Sequence, residues 1–193
     1  MLKWAREHHC RWNELTHRVC RIAALGGHLE VLQWARTHDC PWDEDTCAWA
    51  AEGGNLDVLQ WARAHDCPWD ESTCASAAEQ GYLTVLRWAR EHGALWDEDL
   101  EDEEMDCCAL AAKGGHLEEL KWLRAYDCPW NEKTCQNAGL YGHLAVLQWA
   151  REHDCPWDEE TCAYAANGGQ LEVLRWAIEH GCPDGEHYMH LLV

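Results

Sequence analysis

The sequence has no phenylalanine, and only two isoleucines and seven valines among 193 residues. So little β-branched and aromatic strand-forming material argues against a sheet, while 25 alanines and 22 leucines point to helices. Cationic residues are scarce: 15 Lys and Arg face 35 Asp and Glu, a net charge of −20. Nucleic-acid binders displace counterions with a basic face, so DNA and RNA are poor partners for this chain. Anionic membrane surfaces are poor partners for the same reason. No apolar run approaches the ~18 residues of a membrane span. The segment from Met1 to Cys10 is charged and lacks the apolar core of a signal peptide. These absences predict an intracellular, cytoplasmic protein; the oligomeric state stays open, with a monomer preferred.

What the sequence has in excess is Cys 13, Trp 14 and His 13. An odd number of cysteines cannot pair completely within one chain. Free thiols acting as small buried hydrophobes are the expected state.

The excess is organised as a repeat. The block Gly27-His28-Leu29-Glu30-Val31-Leu32-Gln33-Trp34-Ala35-Arg36 returns in altered form at Gly54, Gly81, Gly115, Gly142 and Gly169. A second block, His38-Asp39-Cys40-Pro41-Trp42-Asp43-Glu44-Asp45-Thr46-Cys47-Ala48, follows and recurs around Cys67-Pro68-Trp69, Cys128-Pro129-Trp130 and Cys155-Pro156-Trp157. Four of the five prolines lie between Cys and Trp. The array spans 1–193 as one domain, with units starting near those six glycines and partial units at both ends. Trp4, Cys10 and Trp12 keep the offsets of Trp34, Cys40 and Trp42, so the chain opens inside a unit.

Each unit predicts two short helices. Leu29, Leu32, Trp34, Ala35 and His38 form one apolar face at helical spacing. That helix should end near Cys40, because Pro41 disfavours helical geometry in the residue before it. Asp43 is placed to cap the next helix, with Glu44 and Asp45 in its first turn. Cys47, Ala50 and Ala51 give that helix a narrow face for close packing, and Gly53-Gly54 ends it. One such hairpin cannot bury its apolar face alone, but stacked copies can.

Thr46 to Gly54 resembles the first helix of an ankyrin repeat, and Gly142 to Leu147 with the Gly27 and Gly115 copies resembles the second. The likeness covers nearly the whole chain. The period is 27 residues, 34 in one unit, and the residues missing from the usual ~33 fall where ankyrin repeats carry a β-hairpin finger. With its Cys-Pro-Trp-Asp-Glu motifs the chain is most similar to the Trp- and Cys-rich short repeats of giant viruses, protists and algae. The resemblance implies an all-α, ankyrin-like solenoid of about six stacked helix pairs with shortened fingers. It also implies a non-catalytic module that binds a protein partner in its concave groove, in a host's cytoplasm for a viral copy.

Departures from the repeat mark the candidate site. Residues at the end of each first helix vary while their neighbours recur, and in ankyrin-like stacks they face the groove. They include Glu52, Glu79, Gln80, Lys113, Leu140, Tyr141 and Asn167. Tyr82 joins them because it replaces the polar residue found after the other turn glycines. Leu140-Tyr141 is the apolar pair, with Lys113 one unit away, and aromatics often anchor interfaces. The neighbouring column of Trp49, Ser76, Leu110, Asn137 and Tyr164 should face the core, which leaves Asn137 and Ser76 needing hydrogen-bond partners. The insertion over 97–106 holds eight carboxylates in ten positions, an exposed loop suited to a basic partner. It lacks the glycine of a calcium loop.

Zinc is the alternative reading. His38, Cys40 and Cys47 recur as His65, Cys67, Cys74 and as His153, Cys155, Cys162. Structural zinc wants four ligands with tighter chelating pairs, and Ala94 and Tyr126 break the columns. A disulfide from Cys40 to Cys47 is a further option that geometry decides. No phosphate loop, nucleophile elbow or metalloprotease helix is present, so no enzyme activity and no cofactor are expected. The Trp columns should be committed to packing.

Overall fold

The computed structural model describes residues 17–96 and 106–192. The amino-terminal Trp4, Cys10 and Trp12 and residues 97–105 of the acidic insertion lie outside them. Twelve α-helices follow one another: α1 (His17–Leu25), α2 (Leu29–Thr37), α3 (Glu44–Glu52), α4 (Leu56–Ala64), α5 (Ser72–Gln80), α6 (Leu83–Glu91), α7 (Cys107–Gly114), α8 (Leu117–Ala125), α9 (Glu132–Tyr141), α10 (Leu144–Glu152), α11 (Glu159–Asn167) and α12 (Leu171–Glu179). A 3-10 helix over Gly185–Leu192 packs on α11 and α12 at the carboxyl end. Among the described residues there is no strand.

The helices form six antiparallel pairs. The odd-numbered helices stack on one another in chain order, and each even-numbered helix packs on the odd-numbered one before it. Composition dictates this arrangement. The odd helices bury small groups such as Cys47, Ala50 and Ala51, all fully covered. The even helices bury an aliphatic stripe, as in Val58, Leu59 and Ala62. Small side chains let the odd helices come so close that a Cβ added at Gly53 would lie 2.2 Å from the Leu25 carbonyl oxygen. At Gly168 it would lie 2.1 Å from that of Leu140. Each fully buried leucine in such a stack contributes about 2 kcal/mol.

The turns explain the glycines and aspartates. Gly54 has φ +69, and the amides of Gly54 and Asn55 bond the carbonyls of Ala51 and Ala50. This is a Schellman cap with glycine at the left-handed position. After each even helix the same cap recurs with another residue there. Asp39, Asp66, Asp127 and Asp154 have φ between 58 and 62, and Gly93 and Gly181 take this place in the other two pairs. Cys40 N–H reaches Ala35 O. The helix therefore stops at Thr37, earlier than expected, because the left-handed residue Asp39 ends it before Pro41 does.

Where a β-hairpin finger would stand, a side-chain clamp closes the connection. Arg36, Arg63, Arg124 and Arg151 each donate to the carbonyl of the cysteine four residues on. Arg90 does the same to Ala94 at 3.2 Å. Each guanidinium also lies over the tryptophan six residues on, 3.8 to 4.4 Å from its ring centre.

Two local expectations are corrected. Asp43 occupies the cap position of α3, but its carboxylate makes no cap bond. It pairs with Arg21 of the previous pair instead, at 2.5 Å. In the Trp49, Ser76, Leu110, Asn137 and Tyr164 column only Leu110 packs against the apolar core, and none of the five is buried. These residues are half-buried, and Tyr164 is exposed. Asn137 does find the partner it needs, donating to Ala109 O at 3.0 Å.

Candidate interaction surface

The open face of the odd helices is built from side chains at helical i, i+3 and i+4 spacing. On α9 these are Asn137, Leu140 and Tyr141, and on α11 Tyr164 and Asn167. On α7 they are Leu110 and Lys113, on α5 Ser76, Glu79 and Gln80, and on α3 Trp49 and Glu52. Glu52, Gln80, Tyr141 and Asn167 are exposed, and Glu79, Lys113 and Leu140 are half-buried. Tyr141 keeps 45% of its surface in solvent. The face thus carries an apolar stretch, Leu110, Leu140, Tyr141 and Tyr164, beside an acidic one.

Three of the expected contact residues, Lys113, Glu79 and Tyr82, are already engaged. Lys113 bonds Glu79 of the neighbouring pair at 2.6 Å, and that carboxylate holds its ammonium above the usual lysine value. A partner carboxylate would have to compete with Glu79. Tyr82 lies over Gly54 of the preceding pair, where an added Cβ would come within 2.7 Å of the ring. Its column is a clasp between pairs that sequence reading missed. Asn55 bonds the Ala24 and Leu25 carbonyls at 2.8 Å each. His143 sits 3.0 Å from Lys113 O and covers Gly115. The available signal was that each such residue stands one position past a left-handed glycine.

The histidines and cysteines disperse rather than converge. His38 stacks on Trp34 at 4.3 Å with Nδ1 at 2.8 Å from Trp34 O, and His65, His92, His153 and His180 repeat this. They close helix ends, and Tyr126 takes the place by lying on Trp122. Cys40 turns to Cys20, 3.5 Å away, while Cys47 acts on the thiol of Cys67, whose sulfur also donates to Asp43 O at 3.5 Å. The members of the His38, Cys40 and Cys47 triplet therefore engage three different neighbours. Among the described residues no group of three or more His, Cys, Asp and Glu is placed to hold a metal ion. The Cys40–Cys47 pairing is likewise replaced by partners twenty residues apart.

The Trp columns pack against the core, as expected, but are not all covered by it. Trp96 and Trp122 are buried, but Trp42, Trp61, Trp130, Trp149, Trp157 and Trp176 are only partly so. They line open cavities between successive even helices. One of about 470 Å3 is bounded by Trp42, Trp61, Arg36 and His65. Another of about 430 Å3 is bounded by Trp157, Trp176, Arg151 and His180.

The chain matches the ankyrin repeat domain of human ASB11 with a TM-score of 0.66, over 84% of this chain and 83% of that one. The fold is an ankyrin-like α-solenoid. Identity to that domain is 17%, so the likeness concerns the fold alone. No family model and no curated protein matches the sequence. The Arg-Trp clamp stands at all five connections between successive pairs. Among its described residues no helix is long and apolar enough to cross a membrane.

Proposed function

We propose that the solenoid is a non-catalytic interaction module that seats a protein partner on the open face of its odd helices, centred on Leu140 and Tyr141. The observation that carries this reading is an exposed tyrosine beside Leu140, Leu110 and Tyr164 on the face that stacking leaves unused. Glu52, Glu79, Gln80, Lys113 and Asn167 supply a polar surround, and Tyr82 acts through the packing of its turn. The net charge of −20 and the acidic insertion suit a basic partner, whose approach they would accelerate more than they would tighten the complex.

The partner is first captured by proximity labelling in the source cell and its binding then measured. Tyr141→Ala is expected to weaken binding about thirtyfold, the effect of a lost anchor of ~2 kcal/mol, and Leu140→Ala somewhat less. Deleting 100–105 should slow association and leave dissociation unchanged. Normal binding by both groove variants, folded, would remove the groove assignment. The open Trp-lined cavities favour a second reading, a partner on the even-helix side. Glu152→Arg, at the rim of one of them, abolishing binding while Tyr141→Ala binds normally would establish it.

A further inference from the structure

The six helix pairs carry thiols at a fixed interval of twenty residues: 20 and 40, 47 and 67, 108 and 128, 135 and 155, 162 and 182. One member lies on the odd helix and the other in the turn that leaves the even helix of the same pair. The third pair has Cys74 but Ala94 in the turn. The twelve described cysteines are unlinked and buried. Cys20 donates to Cys40 with the sulfurs 3.5 Å apart. The equivalent thiols also influence each other's ionisation, Cys47 and Cys67, Cys135 and Cys155, Cys162 and Cys182, and Cys128 with Cys107 and Cys108, while the sulfurs of Cys67, Cys155 and Cys182 donate to the Asp43, Asn131 and Asp158 carbonyls of the same turn position at 3.5 Å.

Packing alone asks for small groups here, and alanine would serve, as it does at 94. A cysteine at both of these positions, repeated in five of six pairs, is a different arrangement, and at Cys20 and Cys40 the two sulfurs are in hydrogen-bond contact. Closing that pair requires a sulfur approach from 3.5 Å to about 2.0 Å. We infer that these pairs are redox modification sites: a peroxide converts each to an intra-pair disulfide that ties an odd helix to the turn following its own even helix.

The chemistry balances with a peroxide as oxidant. One thiol, ionised, attacks a peroxide oxygen; the O–O bond breaks, an S–O bond forms and water or an alcohol leaves. The second sulfur then attacks this sulfenic acid; the S–S bond forms, the S–O bond breaks and water leaves. Two electrons pass from the sulfur pair to the peroxide, and both thiol protons end on oxygen. Cys128 is the most easily ionised of its cluster, because the neighbouring Cys107 and Cys108 thiols and the nearby Arg124 and Arg90 favour its thiolate. The loop formed spans about twenty residues, a length at which a cross-link restrains the unfolded chain substantially.

The test is hydrogen peroxide treatment of the intact chain, followed by alkylation of remaining thiols and peptide mapping. The expected map has Cys20–Cys40, Cys47–Cys67, Cys135–Cys155 and Cys162–Cys182 joined, Cys128 joined to Cys107 or Cys108, and Cys74 alkylated, with helicity retained. Cys162–Cys182 should close ahead of Cys47–Cys67, because Cys182 is 6% exposed and both of the latter are fully covered. Ala94→Cys should add a sixth link, to Cys74, and Cys182→Ala, the residue the repeat itself tolerates at 94, should remove one link and no other. Intact thiols after prolonged treatment, Cys40–Cys47 links, links between chains, sulfinic acids at these positions, or helicity lost as links form would each overturn the inference.

Discussion

At Asp106 the acidic insertion meets the core. This side chain is 1% exposed, caps α7 by accepting from Ala109 N–H at 2.9 Å, and leaves its second oxygen without a hydrogen-bond partner. Burial pushes its carboxyl up from 3.8 to about 6. The folded state therefore holds this proton more tightly than the unfolded state. Its penalty is absent below pH 3.8, grows up to about 6 and is constant above, so stability falls as pH rises through that window. Asp106→Asn keeps a good cap and removes the buried charge. It should stabilise the protein by up to about 3 kcal/mol at pH 7.5 and much less at pH 4. Urea unfolding at the two pH values measures this, and an asparagine variant no more stable at pH 7.5 would refute it. The sequence hid this residue because a carboxylate run reads as solvated. The register could have revealed it: Cys107 falls in the column of the buried Thr46, Thr73, Thr134 and Thr161, so the helix start is pulled inward there. The closing of helix ends by His38 and its equivalents was legible, since it needs only spacing and a local carbonyl.

At the scale of the element, the Arg-Trp clamp replaces the β-hairpin finger. Helix pairs and their glycine stops could be read because hydrophobic period and left-handed turns are local properties. The clamp was missed because it joins residues four and six apart across a turn whose shape the Cys-Pro motif does not disclose. The repeat nevertheless carried the signal. An arginine stands four residues before each of Cys40, Cys67, Ala94, Cys128 and Cys155, with a tryptophan two residues after. In the last pair both are lost together, as Ile178 and Asp184. Arg63→Ala should cost about 1–2 kcal/mol, the loss of a charge-assisted bond and a cation–π contact. Arg63→Lys should recover less than half, since an ammonium cannot both stack and reach the Cys67 carbonyl as a planar fork does. A double-mutant cycle with Trp69→Ala should show coupling above about 0.5 kcal/mol. Strict additivity would reduce the clamp to two independent surface contacts.

The whole molecule is a one-dimensional stack, so its cooperativity rests on the contacts between neighbouring pairs. Those contacts were only half legible. The repeat shows that pairs stack, but not that the first glycine of a doublet touches the carbonyl of the pair before it, because that contact depends on how closely alanine and cysteine let odd helices approach. Gly168 and Gly169 separate the two roles of glycine. A Cβ at Gly168 meets the Leu140 backbone oxygen at 2.1 Å, whereas at Gly169 it meets nothing within 4 Å but stands on a φ of +68. Gly169→Ala should cost about 1 kcal/mol of local backbone strain, leaving one cooperative transition. Gly168→Ala should cost about 2–3 kcal/mol, and should do so by prising α11, α12 and the 3-10 helix from the remaining five pairs. Hydrogen exchange resolves the two outcomes. In the Gly168 variant protection should fall across 159–192 and persist in α1 to α8. A uniform loss throughout the chain would mean that the array behaves as a single unit, with coupling between pairs stronger than the stability of any one of them.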